Sequence, residues 1–199
     1  MARIWLDAGH SGVQAGSDPG AVKFIKEAAA NLTVSLEAER LLTEAGHTVG
    51  MTRRSDASII SLNDRCKLAN AFKADYFISI HHNAGGGDGY EIIHSIYHGK
   101  GLDLAKSIST EFNKLQNPHG THGIYDKEGR NGDYFAVIRD THMPAIITEF
   151  AYVDNAKDVQ AIDSKEDLLL EAKAIVTGTL NYLKKLNEGS AKDSLKQAK

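Results

Sequence analysis

The sequence predicts a single α/β domain built on a substantially parallel sheet. Three observations carry that expectation. Short β-like runs alternate with amphipathic helical segments along the chain, the pattern that lays helices over a mostly parallel sheet. The run Tyr76–His81 is apolar and β-branched at its centre, as a strand covered on both faces must be. A length of 199 residues, with 42% hydrophobic and 25% charged side chains, suits one buried core and argues against a disordered chain.

The elements follow in order. Ala2–Leu6 reads as a first strand that stops at Asp7-Ala8-Gly9-His10, and a Gly/Ser-rich loop runs on through Pro19-Gly20. Glu27–Ala45 reads as a helix, with Leu32, Leu36 and Leu42 at apolar positions and Gly46 as its stop. His47–Thr52 is a second strand and Leu62–Phe72 a second helix. After the strand Tyr76–His81, the run Gly85-Gly86-Gly87-Asp88-Gly89 is a turn, and Tyr90–Tyr97 is a strand. Leu104, Ile108, Phe112 and Leu115 mark one face of a third helix. A loop rich in Gly, Asn and His extends to about Asp133. Phe135–Ile138 and Ala145–Phe150 read as the last two strands, Pro144 opening the second. Ser164 with Asp167 forms a capping pattern for a final helix, whose apolar positions run from Leu168 to Leu183. The domain is therefore expected over 1–186, with 187–199 as a polar linker or tail.

Charge and composition exclude several classes. A net charge of −3 gives no basic footprint for nucleic acid. The single cysteine, Cys66, excludes an intrachain disulfide and a cysteine-rich zinc site. No apolar run is long enough to insert across a bilayer. Met1-Ala2-Arg3 leads directly into a strand with no secretory pattern, so synthesis in the cytoplasm without a signal peptide is expected.

The chemistry gathers at strand exits. The first strand exits into His10, the third into His81-His82-Asn83, and the last through Glu149. If these strands run parallel, the three positions share the rim where ligands bind in such sheets. Two imidazoles and a carboxylate are the material of a metal-dependent hydrolase, in which zinc takes three protein ligands and keeps one position for water. His10 and His81 are the nitrogen donors. Glu27, opening the helix after the Gly-rich loop, is placed to reach back as the third ligand. Glu149 is either that ligand or the general base. Bound zinc lowers the pKa of water to about 7 and polarises a carbonyl, while a second carboxylate moves the proton.

Each residue also has a plainer reading. A histidine at a strand end is commonly a polar loop residue, and Glu27 alone fits a carboxylate favoured by a helix N-terminus. Glu149 is harder to set aside, because a carboxylate in an apolar strand needs a partner. Strand alternation sends His82 to the opposite face from His81, so one of the two binds metal. His119 and His122 sit in a polar loop without supporting carboxylates. His47, His94, His98 and His142 read as surface or packing residues, and Cys66 as a small core residue.

These residues fall into an ordered series of motifs. They are Leu6-Asp7-Ala8-Gly9-His10, Asp18-Pro19-Gly20-Ala21, Glu27 with Asn31-Leu32, Thr52-Arg53-Arg54, and Arg65 with Ala69-Asn70. Then come Ser79-Ile80-His81-His82-Asn83-Ala84, Gly89-Tyr90-Glu91, Val137-Ile138-Arg139, Pro144-Ala145-Ile146-Ile147-Thr148-Glu149 and Asp154-Asn155. Over about residues 2–185 the series resembles the zinc-dependent N-acetylmuramoyl-L-alanine amidases of the amidase-3 family.

The resemblance implies a six-stranded mixed, mostly parallel sheet flanked by helices. It implies one zinc ion held by His10, Glu27 and His81, and Glu149 as the catalytic carboxylate. It implies Asn83, Glu91 and His122 as substrate contacts. The reaction implied is hydrolysis of the amide joining N-acetylmuramic acid to L-alanine in peptidoglycan, by a monomer. The chain departs from the family at His82, where a small residue is common, and at Ala28, where Lys is frequent. It departs again at Thr121-His122-Gly123, in place of Asn-Arg-Gly, and at Phe150-Ala151-Tyr152, in place of Gly-Phe.

A bare catalytic domain with a linker-like tail is expected of a phage endolysin released to the wall through a holin, with a wall-binding domain beyond the linker. A bacterial autolysin is the near alternative. Two other readings use the same residues: a zinc peptidase cutting within the stem peptide, and a non-catalytic wall-binding module, which would have no need of Glu149.

Overall fold

Four strands of one direction and two of the other make the central sheet. The computed structural model describes residues 1–12, 18–57, 59–115 and 123–197, with 190–197 as backbone alone. In chain order the strands are β1 (Arg3–Ala8), β2 (Thr48–Met51), β3 (Tyr76–Asn83), β4 (Glu91–His94), β5 (Ile124–Asp126), a small hairpin of β6 (Glu128–Gly129) and β7 (Gly132–Asp133), and β8 (Ala145–Tyr152). The sheet order is β2-β1-β3-β8-β4-β5. β2, β1, β3 and β8 are mutually parallel; β4 runs antiparallel to β8 and carries β5 parallel to itself.

Helices cover both faces because the strands alternate between two apolar sets. Ile4 and Leu6, Ile78 and Ile80, Ile92, and Ile146 point into one core, against α1 (Glu27–Glu44), α3 (Lys100–Phe112) and α5 (Lys165–Gln197). Trp5, Phe77, Ile93, Ala145 and Ile147 point the other way, against α2 (Leu62–Phe72) and α4 (Ala136–Arg139). This period of two decides the face on which each polar residue at a strand end emerges. Ser61 caps α2, its Oγ accepting from the Asp64 N–H at 3.1 Å. Ser164 accepts from the Asp167 N–H at 3.1 Å, as the capping pattern predicts.

The sheet has the predicted number of strands but not the predicted set. Phe135–Ile138, expected as a strand, is instead the N-cap and first three residues of α4. Four apolar residues fit either period, and here one helical turn buries Val137 and Ile138 together against α2. The sixth strand is Ile124–Asp126, inside the segment expected to be loop. The strand expected over Tyr90–Tyr97 is β4 alone: it ends at His94, after which Asp133 accepts from the Ser95 hydroxyl and the Ile96 N–H, both at 2.7 Å. The stretch from Asn187, expected as a linker, continues α5 to Gln197. No proline interrupts it, and Glu188, Ala191, Lys192, Leu195, Lys196 and Gln197 favour a helix, against Gly189 and two serines.

Candidate active site

β1, β3 and β8 bring their C-terminal ends to one rim, and three side chains able to hold a metal ion converge there. His10 Nε2 lies 2.9 Å from Glu27 Oε1, and His81 Nδ1 lies 3.1 Å from the same oxygen. The two imidazole rings meet edge to face with centroids 4.8 Å apart. One ligand atom from each of the three residues lies within 4.8 Å of the other two. Glu27 is buried in the first turn of α1, its Oε2 accepting from the Ala21 N–H at 2.8 Å. The His10 Nδ1 faces Asp18 Oδ2 at 2.9 Å, which leaves Nε2 for the centre.

The backbone is shaped around these groups. A Cβ at Gly9 would stand 2.3 Å from the His81 ring, and one at Gly20 would stand 2.4 Å from Glu27 Oε2. His10 itself takes the left-handed conformation, with φ at 59°. Two buried arginines hold that loop in place. Arg65 donates to Asp7 Oδ1 at 2.7 Å, to the Ala8 carbonyl at 3.0 Å and to the His10 carbonyl at 2.6 Å. Arg53 donates to the carbonyls of Ala8, Gly9 and Ala28 at 3.1, 2.9 and 2.6 Å. Two imidazole nitrogens and one carboxylate oxygen, held this way beside an open cleft, fit zinc with a free fourth position.

The surrounding charges set the site's ionisable groups apart. Burial disfavours the His10 imidazolium, but hydrogen bonds and charge from Glu27 and Asp18 outweigh it and raise the pKa. Burial opposes ionisation of Glu27 too, yet His10 and His81 hold its carboxyl well below the usual range. Glu149 behaves oppositely. Burial pushes its carboxyl well above the ordinary value, and the negative charges of Glu27, Glu91 and Glu171 add to the shift. Its Oε2 is buried with no hydrogen-bond partner among the described residues. Glu149 stands opposite His81 in the β3–β8 register, on the side of the same cleft. That cleft encloses about 400 Å³, with His10, Asp18, His81 and Glu149 as its polar wall and Ile59, Ile60, Leu62, Phe135 and Val137 as its apolar one. The arrangement can hold a cation, place an uncharged substrate segment against apolar side chains, and move a proton at Glu149.

Comparison with known proteins agrees with this geometry. The family model described as N-acetylmuramoyl-L-alanine amidase matches residues 4–181. The chain belongs to that family. It is 32% identical over 181 residues to a sporulation-specific N-acetylmuramoyl-L-alanine amidase of Bacillus subtilis, covering 89% of this chain and 67% of that one. It is 34% identical over 193 residues to an endolysin of Bacillus phage SPP1, covering 94% of this chain and 69% of that one. Among solved structures, it is similar to the catalytic domain of CwlV, an N-acetylmuramoyl-L-alanine amidase of Bacillus (Paenibacillus) polymyxa var. colistinus. The TM-score is 0.77 at 30% identity, covering 92% of this chain and 99% of that one.

In this amidase-family chain the other expected site residues fall out as follows. Glu91 on β4 faces Glu149 across the antiparallel pair. It accepts from Asn83 Nδ2 at 3.1 Å, from the Tyr125 hydroxyl at 3.1 Å and from the Tyr152 hydroxyl at 2.9 Å. Asn83 and Glu91 thus form one cluster beside the cleft, with two tyrosines the sequence reading missed. Burial first, and then the Glu91 charge and hydrogen bonds, raise both phenols above their usual range. His119 and His122 lie outside the described residues. His82 emerges on the face opposite His81, buried beneath α1 and α5. None of His47, His94, His98 and His142 lines the cleft. Arg53 and Arg65 entered the sequence reading only as motif members. Their burial marks them as the supports of the His10 loop, a role that pairing over 44 to 58 residues hides from any local pattern.

Proposed function

We propose that this chain is a zinc-dependent N-acetylmuramoyl-L-alanine amidase that degrades bacterial cell walls. The observation that carries the reading is the Glu149 carboxyl, whose buried Oε2 has no partner among the described residues, standing beside the converged His10, Glu27 and His81. An amide is a poor electrophile and water a poor nucleophile, so such a bond needs both to be activated. Zinc held by His10, Glu27 and His81 would supply the Lewis acid that polarises the carbonyl and acidifies water.

The chain's own groups do the rest. Asp18 holds the His10 ring so that Nε2 faces the centre. Glu149 takes a proton from the attacking water and delivers it to the nitrogen of L-alanine. The carbon–nitrogen bond then breaks, leaving the lactyl carboxylate on muramic acid and a free amino group on the peptide. The apolar wall of the cleft shields the reacting amide from bulk water. Asn83 and Glu91 are the proposed substrate contacts, and residues 1–186 the catalytic unit. Similarity to a phage endolysin and to a sporulation amidase supports a lytic role in either setting.

The test is mass spectrometry of purified peptidoglycan digested with and without a chelator. Free stem peptides that begin with L-alanine, lost on chelation and regained with zinc, are the expected products. Alanine still attached to muramic acid would point to a peptidase. Binding to walls without any product would point to a wall-binding module.

A further inference from the structure

We propose that His82 and Glu171 are positioning residues of the metal centre, acting through Asn31 to fix the Glu27 carboxylate and the loop that carries His10. The inference rests on the zinc reading above. His82, Asn31 and Glu171 are all buried, with exposures of 1%, 0% and 0%. They come from three elements, β3, α1 and α5, and form one chain of hydrogen bonds. Glu171 Oε2 lies 2.9 Å from His82 Nε2, and His82 Nδ1 lies 2.7 Å from Asn31 Oδ1. Asn31 Nδ2 then donates to the Gly9 carbonyl at 3.3 Å and to Glu27 Oε1 at 3.4 Å. That Oε1 is the atom both candidate histidine ligands face.

The directions along this chain are forced. The Gly9 carbonyl and the Glu27 carboxylate both accept, so the Asn31 amide must turn its NH2 toward them. Its oxygen is left facing His82, and Nδ1 of His82 must therefore carry a proton. Glu171 closes the other end by holding Nε2, which prevents the ring from turning over. A small residue at 82, the common choice in the family this chain resembles, could do none of this. Stability alone gives no reason for the pair, since buried polar pairs are commonly replaced by apolar residues at no loss. Glu171 Oε1 even lacks a partner among the described residues. Support of this kind behind a ligand typically changes metal affinity by about 10–100-fold.

Two double variants test the proposal: His82→Leu with Glu171→Leu, and His82→Asn with Glu171→Leu. Zinc affinity of the metal-free proteins is read by competition with a chromophoric chelator, and thermal unfolding is followed alongside. The first variant is expected to stay folded yet bind zinc at least about tenfold more weakly. The second keeps an N–H where Nδ1 stood and is expected to recover most of that loss. Wild-type zinc affinity in the first variant would overturn the proposal while leaving the metal centre intact. A wild-type chain that bound no zinc would overturn the metal reading itself and this inference with it. Nitrogen NMR of the wild-type ring gives a readout that needs no variant: a protonated Nδ1 at His82 is expected, and an unprotonated one would overturn the proposal.

Discussion

His81 on β3 and Glu149 on β8 are direct partners in a parallel register. Neighbouring strands lie about 4.8 Å apart, and paired residues leave the same face of the sheet. The proposed ligand and the proposed base are thereby held side by side by backbone pairing rather than by a loop. Removing the Glu149 charge should thus leave the ligand set untouched. Glu149→Gln is expected to bind zinc as the wild type does and to lose about 10²–10⁴-fold in kcat. His10→Ala is expected to lose both metal and activity. Zinc content by atomic absorption, measured beside wall hydrolysis, checks the pair. Substantial activity in Glu149→Gln would remove that residue from the role of base.

The raised Glu149 pKa has a signed consequence for stability. In the unfolded chain this carboxyl loses its proton near the ordinary value of 4.5, whereas in the fold it keeps it to well above that. Across that window the folded state binds more protons, so the zinc-free protein loses stability as pH rises, by up to about 1.4 kcal/mol per pH unit from this group. His10, whose pKa is also raised, contributes in the same direction. Urea unfolding of the zinc-free wild type and Glu149→Gln at pH 5 and pH 7 isolates the glutamate. The variant is expected to show the shallower decline, and equal declines would contradict the assigned shift.

The arginines beneath the His10 loop give a third expectation. Asp7 is fully buried, and burial alone would raise its carboxyl. The charge of Arg65, helped by Ser79 and Thr52, holds it below its ordinary value instead. Truncating Arg65 strands that carboxylate, removes one of the two donors to the Ala8 carbonyl and takes the Arg65 bond from the His10 carbonyl. Arg65→Ala is expected to cost about 3–5 kcal/mol in urea unfolding. Arg65→Lys should recover little, because one ammonium cannot reproduce the fork that serves four acceptors.

The rim was legible in the sequence because a period of two, once the strands are placed, dictates which side chains share a face. That rule sends His81 and His82 to opposite faces, while the choice of His81 over His82 came from the family resemblance. Glu27 and Glu149 did not separate by spacing, since either carboxylate could reach the histidines. The family resemblance assigns Glu27 as ligand and Glu149 as base, and the contacts of Glu27 Oε1 with both rings favour that proposal. Phe135–Ile138 was misread because four apolar residues satisfy a strand and a helical turn equally. Ile124–Asp126 was missed because three residues carry no period at all. The Asn31–His82–Glu171 chain was illegible for another reason: its members lie 51 and 89 residues apart.

The close approach at Gly9 yields the last expectation. Any side chain there meets the His81 ring, with a Cβ 2.3 Å from Cε1 and Nε2 and 2.6 Å from Nδ1. The ring has nowhere rigid to retreat without leaving Glu27. The Gly9 backbone cannot shift easily either, because its carbonyl is held by Arg53 and Asn31 and its N–H by the Ile80 carbonyl. Gly9→Ala is therefore expected to displace the His81 imidazole while the sheet stays folded. Circular dichroism should be unchanged and zinc affinity should fall. Gly46→Ala is the control for glycine loss as such: it also adds a Cβ, but nothing lies within 4 Å of that position, so any cost there is backbone strain alone. If Gly9→Ala bound zinc as tightly as Gly46→Ala, His81 would not be a ligand.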